Sequence, residues 1–187
     1  MASRSRLSIA KTDIVEALEK HSSKVFTHTD LAKLLAENRR FWRLAISTTT
    51  NSFIEFLLKS THLQLHQFNL PHRPTNRYSW GDVSTLELVQ SLQPNGYFTH
   101  YTALELHGLT EQSPKTVYLN FEQQATGGGG ELTQGGIDRA FKGKCRVSQN
   151  VAEFRNQKIC ILNGRNTGLL GVEEIEIDPG VAVKAAS

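Results

Sequence analysis

The sequence predicts an α+β protein, with an N-terminal winged helix-turn-helix followed by a smaller mixed α/β C-terminal domain. Three segments with apolar residues at helical spacing come first, at 11–21, 26–38 and 47–60. A two-stranded hairpin follows them within residues 62–80, and the rest of the chain mixes short helices with strands. Three helices and then a hairpin is the element order of a winged helix-turn-helix.

Composition excludes several classes of protein. The chain has 187 residues, of which 39% are hydrophobic and 21% charged, and this excludes a disordered chain, a fibrous repeat and a coiled coil. The longest apolar run is shorter than the roughly 18–20 residues that cross a bilayer. The polar, basic start at 1–8 does not resemble a secretory signal, so we expect a cytoplasmic protein. Cys145 and Cys160 match no metal or redox spacing, and we expect reduced thiols and no cofactor.

Charge is divided unevenly along the chain. Residues 1–80 hold 12 Lys and Arg against 6 Asp and Glu, a net of +6, whereas residues 81–187 hold 9 against 12, a net of −3. The stretch 38–77 has six cations and only Glu55 as an anion, a net of +5. A polyanion-binding half joined to a protein-binding half shows this asymmetry, and so does a solvated basic face without a partner.

Each of the three helices has its own start signal. Thr12 is a candidate N-cap for the first helix. In the second helix, Thr27 followed by Asp30 resembles a capping box with Asp in the usual Glu position. In the third helix, the hydroxyls from Ser47 to Thr50 offer an N-cap, and Phe53 begins a buried face.

The hairpin follows from a change of period. Residues 62–70 alternate imperfectly between apolar and polar, Pro71 and Pro74 block helix in the turn, and residues 77–80 return as a second strand that Gly81 ends. This completes a predicted domain at 8–82.

A second domain is predicted at 83–178. Residues 179–187 are predicted to be a tail, because their polar and apolar residues follow neither a helical nor a strand pattern. The expected elements of the second domain are helices at 84–93, 97–109 and 137–143, strands at 115–122, 145–149, 158–163 and 173–177, and a flexible glycine-rich loop at 125–136. Thr99 is the expected N-cap of the second of these helices and Gly108 its stop.

The third helix carries the residue types that read DNA bases. Asn pairs bidentately with adenine, and Thr offers a hydroxyl to several acceptors and a methyl to thymine. The arginines before the helix and in the hairpin would meet phosphate and add salt dependence. The predicted DNA-binding residues are Arg39, Arg40, Arg43, Thr48, Thr49, Thr50, Asn51, Arg73, Asn76 and Arg77. The plainer alternatives are helix-capping hydroxyls and a solvated basic surface. The aromatic residues expected in the core are Phe41, Trp42, Tyr78 and Trp80.

Enzyme signatures are weak by comparison. His100 and His107 are seven residues apart with Glu105 between them, whereas the zinc-protease motif needs histidines four apart. The glycine run lacks the Lys-Ser/Thr of a phosphate loop. We therefore expect no enzyme and no metal, and we keep a DNA-processing enzyme, such as a nuclease or a glycosylase with dispersed residues, as an alternative.

Several stretches resemble AbiEi-family proteins, the antitoxin-type transcriptional regulators of type IV (abortive-infection) toxin–antitoxin systems. They are ENRRFWRLAISTTTNSFIEFLLKST at 37–61, NRYSWGDVS at 76–84, GYFTHYTALELHGLTEQSPKTVYLN at 96–120 and KICILNGRNTGLLGV at 158–172. The resemblance covers roughly residues 10–175.

The resemblance implies a winged helix-turn-helix that represses its own operon and a C-terminal part that counters a toxin. The implied partners are double-stranded operator DNA, with inverted repeats that a dimer would read, and a nucleotidyltransferase-like toxin; no membrane partner is expected. The alternative is an interaction module that only neutralises a toxin and binds no DNA.

Overall fold

A computed structural model of the chain describes residues 5–123, 133–142, 147–165 and 168–187. The described chain holds both helices and sheets, so the predicted α+β class is confirmed. It divides into two compact units: Met1–Phe68 with Pro74–Leu92, and Asn69–Arg73 with Gln93–Ser187. Within the described residues, no helix is long and apolar enough to span a membrane.

The first unit has five helices and a small antiparallel sheet among its described residues. Its elements are α1 (Arg6–Ile9), α2 (Lys11–Lys20), β1 (Val25–Phe26), α3 (His28–Asn38), α4 (Thr50–Ser60), β2 (Leu63–Phe68), β3 (Thr75–Trp80) and α5 (Thr85–Gln90). The sheet order is β1-β3-β2, and β2 and β3 form the predicted hairpin, with Leu63 opposite Trp80. The short helix α1, which the sequence analysis did not predict, begins at an N-cap formed by Ser5.

Local signals explain why the long helices begin where they do. The predicted capping box is confirmed: the Thr27 side chain accepts from the backbone N–H of Asp30, and the Asp30 carboxylate accepts from the backbone N–H of Thr27. Thr49 caps α4 in the same way by accepting from the backbone N–H of Ser52. Thr12, by contrast, lies inside α2, and Ala10 occupies the N-cap position without a side-chain bond.

The core of the first unit is made from one face of each long helix. Its buried helical residues are Ile14, Leu18, Leu31, Leu34, Leu35, Phe53, Ile54 and Leu57. Burial of one such side chain contributes about 1.5–3 kcal/mol relative to leaving it exposed. Because these faces are used internally, the opposite faces of the helices point to solvent.

The boundary between the units differs from the prediction. We expected the first domain to end at residue 82, but α5 and the residues up to Leu92 belong to the first unit, and the hairpin tip Asn69–Arg73 belongs to the second. One cause is the Arg77 side chain in β3, which donates hydrogen bonds to Ser91 just after α5. A domain boundary that is predicted from sequence composition does not take such a contact into account, because its two residues are distant in the chain.

The second unit is organised around a six-stranded sheet. Its elements are β4 (Tyr97–Phe98), α6 (His100–Leu106), β5 (Thr116–Gln123), α7 (Gln134–Lys142), β6 (Val151–Phe154), β7 (Gln157–Arg165), β8 (Val172–Asp178) and β9 (Val181–Ala186). The sheet order is β6-β7-β5-β4-β9-β8, with β5 parallel to β7, β4 parallel to β9 and the other pairs antiparallel. Val117 and Leu119 of β5 are buried as predicted, and Phe121 is half-buried.

The predicted tail at 179–187 is wrong. Residues Val181–Ala186 form β9, which lies inside the sheet between β4 and β8. Val183 and Ala185 are 1% and 0% exposed. In a strand rich in alanine, the residues on the two faces differ little in hydrophobicity. The sequence therefore shows almost no alternation, and the strand is recognised only from its pairing with β4 and β8.

Three other local expectations change. The helix expected at 97–109 is shorter, because Tyr97–Phe98 form the strand β4 and the helix is His100–Leu106. In the predicted strand at 145–149, the described residues 147–149 are not in a strand, and the strand here is Val151–Phe154. The helix expected at 137–143 begins earlier, at Gln134, and so includes two glycines assigned to the flexible loop. Residues 125–132 of that loop and Cys145 lie outside the described residues, whereas Cys160 is buried with a free thiol.

Candidate nucleic-acid interface

Helix α4 presents one polar face to solvent. Asn51, Ser52 and Glu55 are exposed, while Phe53 and Leu57 on the other face are fully buried. Thr50, a predicted base contact, is half-buried. The buried face fixes the rotation of the helix, so its N-terminal polar residues are accessible rather than enclosed in the fold.

Thr49, a predicted base contact, has a structural role at the helix start. Its hydroxyl accepts from the Ser52 backbone N–H at 3.2 Å and donates to the Ser52 hydroxyl at 3.1 Å, and the Ser52 hydroxyl donates to the Thr49 carbonyl at 2.8 Å. Both hydroxyls therefore have internal partners. What remains for a base is the methyl group of the exposed Thr49 side chain.

Asn51 is held from the start of the preceding helix. The ring Nε2 of His28, the first residue of α3, lies 3.0 Å from the Asn51 side-chain oxygen. This contact joins two residues that are 23 positions apart. His28 was not a predicted site residue, because nothing in its local pattern distinguishes it from an ordinary residue after an N-cap.

Glu55 is a further candidate contact that is absent from the predicted set. It lies one turn after Asn51 on the exposed face, and a carboxylate can accept a hydrogen bond from cytosine. The Lys59 ammonium lies 2.6 Å from it, and this hydrogen bond and charge lower the pKa of Glu55. The i, i+4 spacing from Asn51 is the signal that would have identified it.

The three arginines before α4 differ in their surroundings. Arg39 is used inside the turn that joins α3 to α4: its guanidinium donates to the Ala45 carbonyl at 2.6 Å and to the Thr48 carbonyl at 3.0 Å. Arg39 is a predicted phosphate contact, but its guanidinium instead stabilises this turn. One of the carbonyls that it binds belongs to Thr48, another predicted contact. Arg40 and Arg43 are exposed.

The predicted contacts on the hairpin also differ in their surroundings. The Arg77 guanidinium is half-buried and donates to the Ser91 carbonyl at 2.9 Å and to the Ser91 hydroxyl at 3.1 Å. Burial lowers the pKa of Arg77, and the nearby charge of Asp30 partly opposes this. Arg77 therefore faces inward, contrary to its predicted role. Asn76 in the first unit and Arg73 in the second are exposed.

The aromatic residues are in the core with one exception. Trp42, Tyr78 and Trp80 are 3–8% exposed, as expected, but Phe41 is 72% exposed, so its predicted core position is wrong. Trp42 stacks on Phe53 of α4 at 5.8 Å between ring centroids and thereby connects the α3–α4 turn to the buried face of that helix.

The histidines considered for catalysis have local partners. His100 Nδ1 lies 2.9 Å from the Thr99 hydroxyl, and His107 Nε2 lies 2.9 Å from the Ala186 carbonyl. The expected N-cap Thr99 makes no side-chain capping bond, whereas Gly108 follows the helix with a positive φ as its stop. In the part of the chain that the structure describes, no group of three His, Cys, Asp or Glu side chains could hold a metal ion.

No protein-family model and no curated protein matches this chain.

Proposed function

We propose that the first unit is a winged helix-turn-helix that binds double-stranded DNA sequence-specifically, and that the protein represses transcription of its own operon. The observation that carries this proposal is the accessible, uncharged N-terminal end of α4, where Asn51 is exposed above a fully buried apolar face. The element order and the sheet order β1-β3-β2 support the winged helix.

In this reading α4 lies in the major groove with its first turn against the base edges. The Asn51 carboxamide pairs with adenine, and the Thr49 methyl contacts a thymine methyl. Glu55 lies one turn further along the same face. Its carboxylate accepts a hydrogen bond from the amino group of cytosine and disfavours guanine, which presents only acceptors in the major groove. Each good bidentate contact contributes about 1–3 kcal/mol of discrimination.

Phosphate contacts come from the exposed cations of the α3–α4 turn. Arg40 and Arg43 supply them, and Asn76 on the hairpin adds an uncharged donor. Arg39 and Arg77 are left out of this set, because their guanidinium groups already serve the fold. The remaining prediction, Arg73, lies in the second unit and stays a sequence-based expectation.

The second unit is proposed as the interaction part of an AbiEi-like antitoxin. Support comes from the sequence resemblance at 96–120 and 158–172 and from the six-stranded sheet that contains β4, β5 and β7. The partner would be a nucleotidyltransferase-like toxin encoded next to this protein, and the operon would belong to a toxin–antitoxin or phage-defence system.

The experiment is a binding titration of the full chain with fluorescent duplexes. One duplex carries the promoter upstream of the gene, and a second has the same composition in scrambled order. We expect tighter binding to the promoter, and affinity for both that falls steeply with salt. Equal affinity for the two duplexes at every salt concentration would remove the specific-repressor proposal.

A pair of variants on one helix sharpens the test. Asn51→Ala should weaken promoter binding by about 1–3 kcal/mol and leave binding to the scrambled duplex almost unchanged. Ser60→Ala, at the other end of α4, is the matched control and should keep the preference for the promoter. A promoter preference that survives Asn51→Ala would contradict the placement of α4.

A further inference from the structure

A groove in the first unit contains a buried hydrogen-bond donor without an acceptor. The groove has a volume of about 710 Å³ and runs between the α1–α2 segment and the α3–α4 turn. Trp42 lines it and is only 3% exposed. The indole Nε1–H of Trp42 has no acceptor among the described residues. An unpaired buried donor costs free energy, so a ligand that brings an acceptor into the groove is favoured.

The core fixes the position of this donor. The Trp42 ring stacks on Phe53 of α4, with 25° between the ring planes. The backbone N–H of Trp42 donates to the Asn38 carbonyl at 2.9 Å and so continues the winding of α3 into the turn. Because the indole cannot turn toward water without losing this packing, its acceptor has to come to it.

Two arginines from separate segments line the same groove. Arg6 belongs to α1 and Arg43 follows Trp42 in the turn, and both side chains are exposed. Asp13 is the one carboxylate among the described lining residues, so the groove carries a net charge of +1. Within the described part of the chain, none of these three charged groups forms an ion pair or a side-chain hydrogen bond. Both guanidinium groups are therefore available to an anion.

Arg43 occupies a backbone position that favours glycine. The Leu44 N–H donates to the Arg39 carbonyl at 3.0 Å, and the Arg43 N–H donates to the Arg40 carbonyl at 3.1 Å. These are the two bonds of a Schellman motif, in which the residue just past the helical turn takes a positive φ. That residue is Arg43, with φ of 51°. A Cβ atom is unfavourable there, and such strain is concentrated at functional sites.

We propose that this groove holds one phosphate of the DNA backbone. The Trp42 indole N–H and the Arg43 guanidinium donate to the phosphate oxygens, and Arg6 adds a second cation from α1. The inference rests on the DNA binding proposed for the first unit and adds Arg6 and the Trp42 indole to its contacts. The Asp13 carboxylate opposes the phosphate charge and therefore limits the affinity. A contact of this kind sets the register of the protein on the duplex without reading its sequence.

The indole N–H gives a spectroscopic test. The chain has two tryptophans, Trp42 and Trp80, so isotope-labelled tryptophan gives two indole N–H signals in the NMR spectrum of the full chain. The signal that is lost in Trp42→Phe belongs to Trp42. On titration with the promoter duplex, we expect the Trp42 proton to shift downfield, as a new hydrogen bond requires, and the Trp80 proton to change little.

Charge variants test the arginine contact. Arg6→Gln should weaken binding to the promoter and to the scrambled duplex equally, by about three- to tenfold at low salt, and should reduce the slope of log affinity against log salt by about 1. Asp13→Asn should strengthen binding to both duplexes. Lys20→Gln, an exposed cation at the other end of α2, is the matched control and should bind like the wild type.

Duplexes in which single phosphates are replaced by neutral methylphosphonates locate the contact. At one backbone position the replacement should weaken wild-type binding about as much as Arg6→Gln does. The same replacement should cost the Arg6→Gln protein less, because the cation that the phosphate attracts is already gone. Additive losses at every position would overturn the proposal.

Other outcomes separate this inference from the repressor proposal. A promoter preference without a shift of the Trp42 signal, or with an Arg6→Gln salt slope equal to that of the wild type, would overturn the phosphate contact alone. Equal binding of both duplexes, with the Trp42 shift present, would keep the contact and remove only the sequence-specific repressor. A Trp42 shift that depends on protein concentration without DNA would assign the groove to a second copy of the chain, which could bury the exposed Ile9 and Phe41.

Discussion

The Nε2 nitrogen of His28 lies 3.0 Å from the Asn51 side-chain oxygen, so the first residue of α3 holds the residue proposed to read adenine at the start of α4. If the ring N–H donates to this oxygen, it fixes the direction of the carboxamide and leaves the amide nitrogen on the opposite side. A bidentate contact needs the amide in one orientation, and pre-positioning reduces the entropy lost on binding.

His28→Ala should therefore weaken promoter binding through Asn51. We expect a smaller loss than for Asn51→Ala, and a double variant that binds no more weakly than Asn51→Ala alone. A double-mutant cycle with the promoter duplex measures this coupling, expected at about 0.5–2 kcal/mol. Additive losses would show that His28 acts independently of the carboxamide.

Arg39→Ala and Arg40→Ala should separate stability from DNA binding. Loss of the Arg39 hydrogen bonds to two backbone carbonyls should lower the free energy of unfolding by about 1–2 kcal/mol, because half-buried acceptors lose a charged donor. Arg40→Ala should leave stability unchanged and reduce the slope of log affinity against log salt by about 1. Urea unfolding and salt titration provide the two measurements. Identical effects of the two substitutions on both would contradict this division.

Acid should weaken the capping box of α3. Burial alone would raise the pKa of Asp30, but hydrogen bonds from Thr27 and the charges of Lys33 and Arg77 outweigh it, so the pKa lies below its ordinary 3.8. A lowered carboxyl pKa contributes stability that is present above the unfolded-state value and is lost as pH falls through the folded-state value.

Asp30→Asn should accordingly cost about 0.5–2 kcal/mol at neutral pH, and the difference from the wild type should shrink below about pH 4. Unfolding curves at several pH values measure it. Glu37→Gln, at the exposed C-terminal end of the same helix, is the control. A difference that is constant from neutral to acidic pH would rule out the carboxylate as its source.

Gly164→Ala should destabilise the second unit through one buried contact. A Cβ at Gly164 would lie 2.7 Å from Nδ2 of Asn120, the nitrogen that donates to the Tyr97 hydroxyl at 2.8 Å. We expect a loss of about 1–3 kcal/mol in thermal unfolding. Adding Asn120→Ala removes the atoms that clash, so the double variant should lose less than the sum of the single losses. Full additivity would place the cause elsewhere.

Local sequence signals predicted most of the elements of the first unit. The helices at 11–21, 26–38 and 47–60 are predictable because each has an amphipathic period. The second and third also have a side chain that caps the first turn. The hairpin was recognised because Pro71 and Pro74 exclude helix between two short strands. These signals depend on neighbours in the chain, so they are readable without knowledge of the fold.

The candidate site was predictable only in part. The polar start of α4 was identified from its residue types, and the accessible Asn51 agrees with that prediction. The roles of the arginines were not predictable. Arg39 and Arg77 have the same side chain as Arg40, but their partners are carbonyls 6 to 14 residues away, which the fold brings within reach.

The sequence by itself determined the α+β class, the positions of the long helices and the basic character of the N-terminal half. Periodicity, capping and charge depend on residues that are close together in the chain. Only the tertiary structure decided that β9 lies inside a sheet, that α5 belongs to the first unit, that Arg39 points inward and that Phe41 points outward. These outcomes depend on contacts between backbone groups and surfaces that are distant in the chain. The local sequence does not indicate which distant residue will form a hydrogen bond or bury a side chain.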